Sequence, residues 1–202
     1  MKSLTAYITE KMVYNKNTAS KYYPETREAL DDIIAKLIKE RGNEADLNDI
    51  DTSKITDMSF LFSEMEEFNG DISNWDVSNV TDMTYMFQGC TSFNQDISNW
   101  DVSKVTTMKE MFIYCNSFNK PLNNWDVSNV ITMENMFADC ESFNQPLDKW
   151  NVSKVNNMYG MFHGCKLFNQ DISKWKVSKV ENKHGIFYSC PIEEKYKPKF
   201  KK

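Results

Sequence analysis

From about residue 50 to residue 190 the apolar residues return in one order. In the stretch that opens at Trp100 they stand at Trp100, Val102, Val105, Met108, Met111, Phe112, Cys115, Phe118 and Leu122, with polar residues between them. The same order restarts at Trp75, Trp125, Trp150 and Trp175, and the cysteines at 90, 115, 140, 165 and 190 keep the same 25-residue step. A fixed period of about 20 to 50 residues marks a stacked array, because one coil cannot bury its apolar face alone.

Within a coil, the spacing Ile97-x-x-Trp100-x-Val102 matches a leucine-rich-repeat strand, with Trp100 and Val102 inward and Asp101 outward. Val105, Met108, Met111, Phe112 and Cys115 follow at steps of three and four, which predicts a short helix. The residue before the first Met position is Asp57, Asp82, Thr107, Thr132, Asn157 or Asn182, each able to cap such a helix. The Phe-Asn pairs at 68/69, 93/94, 118/119, 143/144 and 168/169 mark a return turn, where stacked Asn side chains can satisfy backbone groups of the next coil. Pro121 and Pro146 cannot donate to a ladder, which places the paired strand later, at the tryptophans. The expected fold is α/β: a leucine-rich-repeat-like solenoid of about six coils over residues 50–192, each coil a short parallel strand plus a short helix.

A stack exposes apolar cross-sections at its ends and needs caps. Residues 21–49 supply one, since Leu30, Ile33, Ile34, Leu37 and Ile38 form an apolar helical stripe that closes at Gly42. The opening segment, residues 1–20, offers a second short helix through Leu4, Tyr7, Ile8 and Met12. At the far end Lys183 replaces a core Met and Glu193 a core Phe, so stacking is expected to stop there and residues 193–202 to run out as a basic tail.

The coil motif W-D-V-S-x-V-x-x-M-x-x-M-F-x-x-C-x-x-F-N resembles the repeat of the BspA-like leucine-rich repeat surface proteins. The resemblance covers roughly residues 50–190 and implies a right-handed strand-plus-helix solenoid with a role in binding or adhesion.

The period also explains the composition. Of the 12 Met and 13 Phe, nine Met and eleven Phe fall on two repeat positions each, so the excess belongs to one coil's core counted about five times. The five cysteines are odd in number, lack any C-x-x-C pair and share one inward position, which fits buried free thiols better than a metal or redox site. His163 and His184 stand at positions that hold Gln88 and Thr84 in another coil, as variable surface residues would, and no spacing ties them to a nucleophile. No enzyme, cofactor or metal is expected. No stretch approaches the roughly 20 apolar residues of a membrane helix. Met1 to Glu10 is polar where an export signal would be apolar, so the chain is expected in the cytoplasm as synthesised, with surface or virion association as a later step.

What varies between coils is charge. The outward strand column reads Asp51, Asp76, Asp101, Asp126, Asn151, Lys176, and its neighbour Asn74, Asn99, Asn124, Lys149, Lys174. Like charges one strand spacing apart repel by about 0.9 kcal/mol in water, so a concave face bearing this column is a candidate binding strip for a protein partner. The same Asp-Val-Ser triplet is also an Asx-turn pattern, in which the carboxylate accepts the N–H two residues on. Residues 44–100 hold twelve carboxylates against one lysine, and residues 151–202 eleven lysines against four carboxylates. Such a gradient favours a charged protein partner or head-to-tail self-association over nucleic acid. The expected function is a non-catalytic scaffold for protein–protein interaction or adhesion, the alternative a structural component of a virion or cell-surface assembly.

Overall fold

The computed structural model describes residues 20–201, so the helix expected in the opening segment lies outside the described residues. α1 (Arg27–Arg41) starts where the Thr26 hydroxyl accepts the Ala29 N–H at 3.2 Å and ends where the Gly42 N–H donates to the Ile38 carbonyl at 2.8 Å. Its buried face is Leu30, Ile34 and Leu37, three of the five positions of the apolar stripe. α1 is tied to the first coil by Arg27 donating to the Ser59 carbonyl, the Lys54–Glu25 and Arg41–Asp49 pairs, and a parallel bridge from Tyr22 to Ile50. It is the only α-helix among the described residues, and no described helix is long and apolar enough to cross a membrane.

Beyond α1 the chain is a succession of coils held in a 25-residue register. In the segment predicted as a helix, the N–H groups of Met83, Tyr85, Phe87 and Gly89 donate to the carbonyls of Thr107, Lys109, Met111 and Ile113 in the next coil, at 2.9 to 3.2 Å. The N–H groups between them, from Met86, Gln88 and Cys90, close tight turns on Met83, Tyr85 and Phe87. A helix would spend every one of these donors four residues back within its own turn. Two residues per coil take left-handed backbone to break that pattern, such as Glu110 at φ 54° and Tyr114 at φ 63°. A chain of turns brings the same side inward every three to four residues, so the Met-Met-Phe-Cys spacing satisfies it as well as it would a helix.

The bridges between coils also lie elsewhere than expected. Isolated parallel bridges link Asp57, Asp82, Thr107, Thr132, Asn157 and Asn182 in sequence, the residues predicted as helix caps, and not the tryptophans. Each indole N–H instead reaches a carbonyl of the preceding coil, as Trp125 does to Ile97 at 3.1 Å. The return turn behaves as the Phe-Asn pairs suggest: the N–H groups of Asn94, Asn119, Asn144 and Asn169 each bond the side-chain oxygen of the Asn one coil back, at 2.9 to 3.0 Å.

The core is a set of columns. Phe62, Phe87, Phe112, Phe137, Phe162 and Phe187 stack with centroids 5.5 to 5.9 Å apart, beside a second column from Phe68 to Phe168 at 5.9 to 6.0 Å. Residues 193–201 are not a free tail. Glu193 continues the Asn ladder through its N–H, the Tyr196 carbonyl accepts the Ile172 N–H at 3.0 Å, and Phe200 packs on the core under the Lys183 ammonium. The aromatic residues among these lysines find apolar surface that the last coil leaves open, which makes this segment a second cap.

Replacing Trp100 by Ala removes a side chain only 4% exposed and the indole hydrogen bond to the Ile72 carbonyl. The expected loss is about 3 to 5 kcal/mol in urea unfolding; an unaltered midpoint would refute the column packing.

Candidate functional site

The sequence-predicted columns fall on the face that flanks the tryptophans. Asp76, Asp101, Asp126, Asn151 and Lys176 are exposed, as are Asn74, Asn99, Asn124, Lys149 and Lys174, while Asp51 is half-buried beside the N-terminal cap. Asp51, Asp76, Asp101 and Asp126 each accept the N–H of the Ser two residues on, at 3.0 Å, and Asn151 does the same at 3.3 Å. Hydrogen bonds from the Ser53 and Ser103 hydroxyl and N–H hold Asp51 and Asp101 below their ordinary carboxylate value. The aspartates are thus turn caps that also project charge.

This face carries two shallow clefts, one at each end. The first, about 260 Å³, lies among Asn48, Asp51, Asn74 and Asp76. The second, about 360 Å³, lies among Lys149, Asn151, Lys174 and Lys176. Equivalent positions of the coil line both, so the same face is acidic near α1 and basic near the last coil.

The cysteines are a structural column. Cys90, Cys115, Cys140 and Cys165 are buried, and each thiol donates to a Phe carbonyl 28 residues back, at 2.7 to 3.0 Å. Burial pushes the Cys90 thiol up to about 12 and raises the other three well above the ordinary range, which keeps them protonated and unreactive. Cys190, in the last coil, is only partly buried.

A second face does not show in the apolar spacing. The turn ladder has two pairs of positions per coil that change from coil to coil: Ser59, Phe60, Ser63 and Glu64 in one, Lys109, Glu110 and Tyr114 with a buried Ile113 in another, Tyr159 and His163 with buried Gly160 and Gly164 in a third. Phe60, Tyr114, Tyr159 and Tyr188, four of the exposed large apolar side chains, lie here. Phe60 stacks on Tyr85 at 4.7 Å, Tyr159 on His184 at 5.9 Å and His163 on Tyr188 at 5.1 Å. Both histidines therefore belong to one aromatic array at the C-terminal end of this face. The signal was present: the two left-handed columns hold Gly89, Gly160, Gly164 and Gly185, four of the chain's six glycines, together with Asn135 and Asp139. Residues that tolerate positive φ, at two fixed places in a supposed helix, argue for turns.

The chain matches the family described as "Mycoplasma protein of unknown function, DUF285" over residues 32–141 and again over 98–197. No curated protein and no solved structure matches the chain.

Two substitutions separate the capping role of the aspartates from their charge. Asp101→Asn keeps an acceptor, as Asn151 does naturally, and is expected to change stability by less than about 0.5 kcal/mol, whereas Asp101→Ala frees the Ser103 N–H and costs about 1 kcal/mol. Equal effects of the two in chemical denaturation would count against the cap. The thiol column predicts alkaline sensitivity. Unfolded thiols ionise near their ordinary 9.0 while folded Cys90 holds its proton to about 12, so stability is full below 9 and falls between these values. The slope is about 1.4 kcal/mol per pH unit for each such thiol. In the native protein at neutral pH, Cys190 should react first with a thiol reagent and the other four only on unfolding; equal labelling of all five would contradict the buried column.

Proposed function

We propose that this chain, which belongs to the DUF285 family, is a non-catalytic scaffold, a right-handed leucine-rich-repeat-like solenoid that binds a protein partner through the outward side chains of its turn ladder. One observation carries the reading: the core and the capping positions repeat from coil to coil, while the outward side chains of this face differ in every coil. A position that must stack is held to one residue type, and a position free of that duty can be used to recognise something.

The chemistry of the face supports a protein partner. Tyrosine, serine, glycine and histidine dominate it, and exposed Tyr rings offer large contact area at small entropic cost. Gly160 and Gly164 are buried against the Asn135 and Asp139 side chains of the preceding coil, beside the Tyr159–His184 and His163–Tyr188 pairs. A Cβ at either glycine would come within 2.1 Å of an Asn135 or Asp139 oxygen, so these glycines are a packing requirement. Adhesion, as the resemblance to the BspA-like surface proteins implies, is one form this binding takes.

The test compares two variants in capture of a partner from extracts of the source cell. Tyr159→Ala with Tyr188→Ala should weaken binding by at least about tenfold, with circular dichroism unchanged. Asp76→Asn, Asp101→Asn and Asp126→Asn together should leave it intact. The reverse outcome would move the binding site to the charged face and overturn the assignment.

A further inference from the structure

The charged face has a property that partner binding does not use. Its acidic end, at Asp51 and Asp76, and its basic end, at Lys149, Lys174 and Lys176, each line a separate cleft at opposite ends of the face. None of these five side chains forms an ion pair among the described residues. Both ends of the stack are covered, by α1 and by the segment that ends in Phe200, so neither end offers an open coil on which a second molecule could continue the stack.

We propose that a second copy of this chain occupies the charged face, laid antiparallel and face to face about a two-fold axis between the Trp100 and Trp125 coils. In an isologous contact each surface patch meets the symmetry-related patch of its partner, so a face that is acidic at one end and basic at the other is complementary to itself only when turned around. In that register the coil of Trp175, with Lys174 and Lys176, faces the coil of Ile50, with Asp51. The coil of Trp150, with Lys149, faces the coil of Trp75, with Asp76. The lysines of each copy enter the cleft of about 260 Å³ that the aspartates of the other line. A parallel arrangement would set aspartate on aspartate at one end of the face and lysine on lysine at the other. At the axis Asp101 of each copy meets Asp126 of the other, a like-charge encounter made twice by symmetry, with Lys104 beside it.

Purified full-length protein tests this by sedimentation, without any partner. The wild type should dimerise at about 20 mM salt and weaken at least tenfold by about 300 mM, because exposed charges are screened over roughly a Debye length. Lys149→Glu, Lys174→Glu and Lys176→Glu together make the face acidic throughout and should give a monomer. Asp51→Asn, Asp76→Asn and Asn74→Lys together keep the turn caps, make the other end basic and should also give a monomer. Mixed one to one, the two variants should form a heterodimer. Asp126→Asn, which removes the repulsion at the axis, should tighten the wild-type dimer severalfold. A wild type that stays monomeric at low salt, a dimer indifferent to the lysine substitutions, or two monomeric variants that do not combine would each overturn the proposal. Since no substitution touches the turn-ladder face, this result is independent of whether partner binding there holds.

Discussion

The rest of the structure depends on one demand: alternate backbone N–H groups of each coil must find their acceptors in the next coil, and not within their own turn. In the coil of Trp100, Met108, Glu110, Phe112 and Tyr114 all donate 24 residues forward. A buried donor left without a partner costs on the order of 1 to 3 kcal/mol, so a slip of one residue would be penalised in every coil at once. The Asn ladder, the indole N–H groups and the thiols reach the opposite way, to the coil before, and lock the same register. The stacked phenylalanines are a consequence, since side chains of equal position are held one above another.

The same register governs the surface. Any residue type that repeats at a given position becomes a column, whether or not the column is useful. The aspartates beside the tryptophans are tolerated as a like-charged column because each is engaged by the Ser N–H two residues on. Where the cap is kept but the charge is not, as at Asn151, or where both change, as at Lys176, the face turns from acidic to basic. The turn-ladder face keeps its left-handed backbone without holding one side chain, and its residues range from Phe60 to Gly160 at a single repeat position.

Much of the core was legible in the residues. The Trp, Met, Phe and Cys positions assigned inward by their period are buried in coil after coil, and the stripe on α1 supplies its buried contacts. Three things were not legible. The helix was wrongly drawn because apolar spacing reports which side faces inward, and a run of turns with left-handed Glu110 and Tyr114 shares that spacing. The bridge was misplaced because capping residues such as Asp82 and Thr107 are equally at home where one parallel backbone touches the next. The basic tail was read as solvated because lysines dominate it, yet Tyr196 and Phe200 carry the apolar surface that closes the stack.

The sequence by itself determined the period, the identity of the buried columns, the N-terminal cap and the gradient of charge, because each is a property of residue type and spacing. Only the tertiary structure decided where the backbone bonds go, and with them the outward face of each coil. An N–H has no preference written in its own residue between a carbonyl four residues back and one 24 residues forward; the presence of the next coil makes that choice. With it came the exposed Tyr and His pairs of the turn ladder and the self-complementary face beside the tryptophans.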